Sequence, residues 1–116
     1  MSGAFLAVDI NKFLSVDGYD ERIFLYCEET MLGIKLRNAG FKTLLLTNET
    51  YVHHHAVSTQ KSIPNAVKRR SLLLNSRLFV LKEYMGASKI RLCIARCCYK
   101  IALVEEAGKI LVRKLK

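Results

Sequence analysis

Two groups of side chains in this sequence could do chemistry. Glu28 and Glu29 are adjacent carboxylates at the start of a run with helical spacing, and three consecutive histidines occupy positions 53–55. A carboxylate at a helix start is held in its charged form by the helix dipole and can accept a proton. Histidine can bind a divalent metal ion. The two groups therefore predict proton transfer and metal binding.

Each group also has a purely structural interpretation. Acidic residues are common in the first turns of helices because they offset the positive end of the helix dipole, whatever the function of the protein. The histidines could simply be exposed residues at the end of a strand. Alternate residues of a strand point to opposite faces, so His53 and His54 would not serve one metal ion together.

The elements that position these groups follow from apolar spacing and turn chemistry. The apolar run 3–10 is typical of a buried strand. Residues 11–16 can form one or two helical turns, and the segment 17–20 is a turn in which Gly18 can take a positive φ. A helix is predicted over 28–39 with Gly40 as its stop, and two short strands are predicted over 41–46 and 50–54.

The rest of the chain has a helical pattern. Ser62, with Pro64 in the first turn, is predicted to begin a helix that extends to about Met85. Gly86-Ala87-Ser88 interrupts the pattern, and a second helix follows to about Lys114. The fold class expected from these elements is α/β.

Charge divides the chain of 116 residues into two parts. Residues 1–60 hold five basic and seven acidic residues, a net of −2, whereas residues 61–116 hold fourteen and three, a net of +11, which together give the net +9 of the chain. Clustered basic residues attract phosphates of lipid or nucleic acid. The predicted organisation is an acidic part over 1–60 and a basic helical extension over 61–116.

The cysteines and the first ten residues of the chain indicate a cellular compartment. Cys93, Cys97 and Cys98 lie in one helical run without the spacing of a disulfide framework or a zinc site, so reduced thiols are expected, and we expect them to be buried as small apolar residues. No run of eighteen uncharged apolar residues occurs, and residues 1–10 lack a signal-peptide pattern. A cytoplasmic location is therefore predicted.

Several motifs together resemble the C-terminal half of the catalytic domain of family 2 glycosyltransferases. Within that family the chain is most similar to rhamnosyltransferase-like enzymes that build bacterial surface polysaccharides. The resemblance covers roughly residues 2–85. The motifs that carry it are Ser2-Gly3-Ala4-Phe5-Leu6, the segment 17–26, Glu28-Glu29 with Leu32, the segment 36–41, Val52-His53-His54 with Ser58, and the basic and aromatic residues of 69–84.

The resemblance implies a fold, a reaction and site residues. The fold would be a partial mixed sheet of the GT-A type with a catalytic-side helix, followed by two long C-terminal helices. The reaction would be inverting transfer from a nucleotide sugar to a saccharide or lipid-linked acceptor. Glu29 falls on the position of the general base, Asp20 and Glu28 would bind the acceptor, and His53 would complete the coordination of Mg²⁺ or Mn²⁺ on the donor diphosphate.

The sequence departs from the family pattern in two ways. Glu29 stands where the family usually has aspartate, and Met31 stands where a further acidic residue is usual. The nucleotide-binding half, with its Asp-x-Asp metal motif, would precede Ser2. The sequence therefore predicts an acceptor-side fragment that is inactive alone and self-associates through an incomplete sheet.

The last helix supports an alternative function. Its apolar stripe is surrounded by basic residues, as in helices that dock on anionic lipid, although the same stripe could instead pack on the preceding helix. On this alternative the chain is a non-catalytic basic module that binds anionic membrane lipid or nucleic acid. Nucleic acid is the weaker partner, because the basic residues are not interleaved with aromatics in a known binding motif. Docking on the inner face of the plasma membrane stays open.

Overall fold

The computed structural model describes residues 5–52 and 61–115. The chain divides into two compact units, Met1–His55 and Ala56–Lys116, which are considered separately. The helices of the first unit are α1 (Ile10–Ser15) and α2 (Glu28–Asn38), and those of the second unit are α3 (Ala66–Phe79), a π-helical continuation (Val80–Tyr84) and α4 (Lys89–Lys114). The proposed organisation into parts 1–60 and 61–116 stays a prediction.

Helix α1 is a short helix that begins at a side-chain cap. The Asp9 carboxylate accepts hydrogen bonds from the backbone N–H groups of Asn11 and Lys12, at 2.9 and 3.2 Å. The cap satisfies two donors that the first helical turn leaves without partners. The helical turns predicted over 11–16 are thereby confirmed.

Helix α2 supplies the core of the first unit. Met31 and Leu32 are 0% and 2% exposed. The helix ends in a Schellman motif, in which Gly40, with φ of 82°, donates to the Arg37 carbonyl at 3.0 Å and Phe41 donates to the Leu36 carbonyl at 2.9 Å. The helix predicted over 28–39 and its stop at Gly40 are confirmed.

The predicted α/β fold with a partial GT-A type sheet is wrong for the residues that the structure describes. No strand occurs within 5–52 or 61–115. The runs predicted as strands are instead exposed, as in Leu44 and Leu45, which are 83% and 82% accessible. Strand preference reflects packing against a paired neighbour more than an intrinsic backbone preference, and within the described residues these runs do not pair as strands. The end of the last predicted strand, residues 53–54, lies outside the described residues.

The second unit is a pair of packed helices, α3 and α4. The Asn65 side chain caps α3 by accepting from the Lys68 N–H at 3.0 Å, so α3 begins after Pro64 and not at Ser62 as predicted. Leu74 and Val80 form the buried core of this unit. Ser88 caps α4, and the helix predicted to end near Lys114 is confirmed.

Candidate functional site

Glu28 and Glu29 occupy the first turn of α2, and both are half-buried. The N-cap residue, Cys27, makes no side-chain cap hydrogen bond. The carboxylates therefore supply the negative charge that the positive end of the helix dipole attracts. The helix start that the sequence predicted at these two residues is confirmed, whereas their chemical roles stay predictions.

A backbone turn of uncommon geometry precedes the two carboxylates. Tyr26 and Cys27 have φ of 70° and 69°, in the left-handed region that favours glycine. Two such residues in succession cost about 1–2 kcal/mol each relative to right-handed backbone. The turn allows α2 to begin at Glu28 immediately after the loop. Nothing in the residue types of Tyr26 and Cys27 indicated this conformation.

The loop before that turn is held against α2 by a lysine. The Lys35 ammonium donates to the carbonyl oxygens of Asp17 and Gly18, at 3.2 and 3.0 Å. Gly18 is buried with φ of 48°, and a Cβ built there would lie 2.7 Å from the Phe13 ring. The positive φ predicted at Gly18 is confirmed. The loop is therefore fixed from both sides, by α1 and by α2.

Asp20 is the buried acidic residue of this loop, at 9% exposure. Its carboxylate accepts from Arg22 Nε at 2.9 Å and Nη2 at 2.7 Å, and from the Arg22 backbone N–H at 3.1 Å. Such a two-pronged arginine contact fixes the orientation of the carboxylate. The structure thus gives Asp20 a structural ion pair, and its role in acceptor binding stays a prediction.

Glu29 lines an open groove of about 590 Å³ on one face of α2. The groove continues onto the segment that follows the helix and is lined by Glu29, Thr30, Gly33, Ile34, Arg37, Phe41, Lys42, Thr43 and Leu44. Glu29 and Arg37 are eight residues apart, which is about 12 Å along a helix axis. A carboxylate and two basic residues therefore share one groove that has an apolar wall.

Arg37 and Lys42 are the members of the groove to which sequence reasoning assigned no function. Arg37 follows Glu29 by eight positions, a rotation of about 80° after two full turns, which keeps both residues within one broad face of an α-helix. That spacing was a usable signal. The position of Lys42 could not be found in the same way, because it depends on how the chain turns back after Gly40.

The predicted metal ligand His53 lies outside the described residues. Within 5–52 and 61–115 there is no group of three or more histidine, cysteine, aspartate or glutamate side chains that could hold a metal ion. Binding of Mg²⁺ or Mn²⁺ at His53 therefore stays a prediction.

The cysteines of α4 correct a further expectation. Cys93, Cys97 and Cys98 are exposed and not buried, and none of the four cysteines forms a disulfide. They are exposed because the opposite side of α4, which includes Leu92 and Tyr99, is the half-buried one. Within the part of the chain that the structure describes, no helix is long and apolar enough to cross a membrane.

Comparison with known proteins finds a similarity over part of the chain. Over 59 residues, the chain is 39% identical to N-acetylglucosaminyl-diphospho-decaprenol L-rhamnosyltransferase of Mycobacterium tuberculosis, in strains CDC 1551 / Oshkosh and ATCC 25618 / H37Rv alike. The match takes in 51% of this chain and 19% of the relative, so the chain spans about a fifth of the length of these relatives.

Other comparisons give no match. No protein-family model and no solved structure matches the chain. The relationship that the comparisons support is therefore a coarse one, in which about half of this chain is similar to part of a glycosyltransferase.

Proposed function

We propose that this chain is the acceptor-side part of a nucleotide-sugar-dependent glycosyltransferase for bacterial surface polysaccharide. The observation that carries the proposal is the position of Glu29, a helix-start carboxylate on the wall of an open groove. The similarity to a rhamnosyltransferase supports the same reaction class. Because the matched part of that relative is small, the activity of a whole enzyme belongs to the proposal.

Glu29 would act as the general base. An acceptor hydroxyl in the groove would attack the anomeric carbon of the donor, forming the new glycosidic bond while the bond to the nucleoside diphosphate breaks. The hydroxyl proton would pass to a Glu29 carboxylate oxygen. General-base assistance of this kind contributes about a hundredfold or more to rate. Glu28 and Asp20 would bind the acceptor, Asp20 from its fixed position against Arg22.

The opposite end of the groove fits a lipid-linked acceptor. The relative is named for transfer to N-acetylglucosaminyl-diphospho-decaprenol. Arg37 and Lys42 offer positive charge for a diphosphate, and Ile34, Phe41 and Leu44 offer apolar surface for the first part of a lipid. The separation of about 12 Å between Glu29 and Arg37 leaves room for a sugar between the base and the diphosphate.

A metal ion is a separate part of the proposal. Mg²⁺ or Mn²⁺ bound at His53 would neutralise charge on the donor diphosphate, which is the chemistry such ions supply in phosphate sites. His53 lies outside the described residues, so the other ligands of such an ion belong to the proposal as well. If the assignment is right, replacing His53 by alanine should raise the metal requirement of a complete enzyme more than the same change at His54 or His55.

The proposed location follows from the acceptor. A lipid-linked acceptor is met at a membrane surface, so we propose a cytoplasmic protein that works against the inner face of the plasma membrane. The fourteen basic residues of 61–116 would favour an anionic surface.

The proposal can be tested by measuring acceptor binding to the chain itself, because this measurement needs no donor site. Calorimetric titration with an N-acetylglucosaminyl diphosphate bearing a short prenyl chain should show saturable binding. Arg37→Gln should weaken binding about tenfold to a hundredfold, since a hydrogen bond to a charged group is worth about 1.5–3 kcal/mol. Glu29→Gln should change it little, because the amide keeps the size of the side chain.

Arg77→Gln is the matched control, because Arg77 is an exposed arginine of the other unit. Equal affinities for the Arg37 and Arg77 variants would contradict the proposed groove. Equally tight binding of phosphatidylglycerol vesicles or an oligonucleotide, with no preference for the acceptor analogue, would instead support the non-catalytic basic module.

A further inference from the structure

Helix α4 carries an exposed apolar stripe with the spacing of a coiled coil. Its members follow one another at alternating intervals of four and three residues, and they are Ile90, Ile94, Cys97, Ile101, Val104, Gly108, Leu111 and Leu115. All eight are exposed, and Ile90, Ile101 and Val104 are 73%, 69% and 72% accessible. We call these eight residues the seam. A mean interval of 3.5 residues over more than three heptads is the pattern of a left-handed coiled coil.

The seam lies opposite the face of α4 that is already packed. The half-buried residues of α4 are Leu92, Ala95, Tyr99, Ala102, Leu103, Glu106 and Ile110, which form their own stripe. Ala95 and Cys97 are two residues apart, a rotation of about 200° around a helix with 3.6 residues per turn. Packing of α3 on α4 therefore leaves the seam uncovered within the second unit.

The residues beside the seam indicate what covers it. In a parallel pair of helices in register, the residue that precedes Ile94, Ile101 or Gly108 lies near the residue five places later on the partner helix. This rule places Lys100 near Glu105 of a second copy, and Ala107 near Val112 of that copy. The first contact joins opposite charges and the second joins two apolar side chains, and the symmetry of the pair makes each contact twice.

An antiparallel pair would lose this complementarity. If the two seams overlap over their full length in an antiparallel pair, Lys100 lies near Lys100 of the second copy at the centre of the pair. These two like charges repel each other. Glu105 at the edge of the seam is bonded to Lys109 of its own helix at 2.6 Å, and its side chain stays 62% accessible to a second copy. The charges beside the seam therefore favour a parallel partner helix of the same sequence over an antiparallel one.

We propose that two copies of this chain associate through α4 as a parallel, two-stranded coiled coil. Ile94 and Ile101 occupy seam positions at which β-branched residues favour two strands when leucine fills the alternate positions, as Leu111 does in the last heptad. Gly108 occupies a third position of that type, and it leaves a gap in the pair. The proposed surface belongs to the second unit and does not depend on the glycosyltransferase assignment.

The molar mass of the purified chain in solution tests the proposal. Sedimentation equilibrium should give twice the chain mass at submillimolar concentration, and Ile101→Asp should give the monomer mass with helicity retained, because Ile101 is exposed. Leu45→Asp is the matched control, since Leu45 is an equally exposed apolar residue outside the seam. A wild-type monomer, or a dimer that survives Ile101→Asp, would overturn the proposal.

Filling the gap at Gly108 gives a test in the opposite direction. A Cβ at Gly108 would meet no atom within 4 Å, so a larger side chain fits the single chain. Gly108→Leu should tighten dimerisation by about tenfold or more, because it buries an extra apolar side chain in each copy. Unchanged or weaker dimerisation would count against a seam that includes position 108.

Cross-linking decides the orientation. In a chain whose four cysteines are replaced by alanine, Ile90→Cys should cross-link to itself with a short bismaleimide if the pair is parallel. In the antiparallel pair with the two seams fully overlapped, position 90 lies opposite position 115, so the two cysteines would be about 37 Å apart along the axis. A dimer that does not cross-link at position 90 would overturn the parallel arrangement. A monomer whose binding to phosphatidylglycerol vesicles is abolished by Ile101→Asp would assign the seam to lipid.

Discussion

The Lys35 ammonium lies 3.0 Å from the carbonyl oxygen of Gly18 and so connects helix α2 to a loop seventeen residues earlier. The same ammonium reaches the Asp17 carbonyl at 3.2 Å. The backbone carbonyls of Asp17 and Gly18, in the loop after α1, thus accept hydrogen bonds from a side chain of the helix that carries Glu29. The position of the loop relative to the candidate base depends on this side chain.

Lys35→Met should therefore destabilise the first unit. Methionine keeps most of the apolar stem and removes both hydrogen bonds, so the expected loss is about 1 kcal/mol, as for typical partly exposed hydrogen bonds. Urea unfolding measures the loss, and amide hydrogen exchange should accelerate within 17–22. Lys42→Met, at an exposed lysine of the same unit, is the control. Equal exchange in the two variants would show that Lys35 does not hold the loop.

Alanine at Gly18 should be more damaging than alanine at Gly40. Both glycines have a positive φ, which costs a residue with a side chain about 1 kcal/mol. At Gly18 the new Cβ would also lie 2.7 Å from the Phe13 ring, whereas at Gly40 it would meet nothing within 4 Å. Chemical denaturation of the two variants should therefore show the larger loss for Gly18→Ala. The reverse order would mean that the Phe13 ring moves aside easily.

Asp20 and Arg22 should show coupled effects on stability. The carboxylate is buried while the Arg22 side chain is 61% exposed, so the pair lies between a surface and a buried ion pair. We expect a coupling free energy of about 1 kcal/mol in a double-mutant cycle of Asp20→Asn and Arg22→Gln, above the usual value for exposed pairs. Additive losses would show that the two-pronged contact adds no stability of its own.

Glu29→Gln should abolish transfer while preserving acceptor binding in a chain joined to the donor-binding segment of a rhamnosyltransferase. The amide cannot take the acceptor proton, so the rate should fall about a hundredfold or more. Glu49→Gln is the matched control, because Glu49 is an exposed carboxylate of the same unit that does not line the groove. A near-normal rate for Glu29→Gln, or an equal loss at both positions, would remove Glu29 as the base.

Glu105 should make the second unit less stable in acid. A hydrogen bond from Lys109 at 2.6 Å, then the charge of Lys109 and that of Arg70 on α3, lower the pKa of Glu105 below its ordinary value. Because the folded pKa is the lower one, the stabilisation is complete above the ordinary glutamate pKa. It is lost as pH falls through the lowered pKa.

The difference in stability between Glu105→Gln and the chain that retains Glu105 should depend on pH in the same way. Thermal unfolding should show a small loss for the variant at neutral pH and no difference in strong acid. Both chains should carry Ile101→Asp, so that Lys100 of a second copy does not contribute. A difference that persists unchanged in acid would exclude the charge of Glu105 as its cause.

Local chemistry made several elements predictable from sequence. The carboxylates at 28–29 and Gly40 marked the two ends of α2, because helix dipoles and left-handed caps act over a few residues. Gly18 in its turn and the long last helix were predictable for the same reason. These features depend on residues close to one another in the chain, and the sequence contains that information directly.

The sheet was not predictable in this way. The runs 3–10 and 41–46 have the composition of strands, yet whether such a run forms a strand depends on a neighbour to pair with, which is a property of the tertiary structure. Within the described residues these runs do not pair as strands. Composition therefore indicated which segments could pair but not whether they do.

The sequence by itself determined which residues could act as a base and where the helix that carries them starts and stops. Only the tertiary structure decided that Lys42 joins Glu29 and Arg37 in one groove, that Asp20 is buried, and that the cysteines of α4 face outward. The physical reason is the separation along the chain of the residues that interact. Caps and helix periods are set within a turn or two, whereas a groove, a buried carboxylate or an exposed seam depends on which segments pack together.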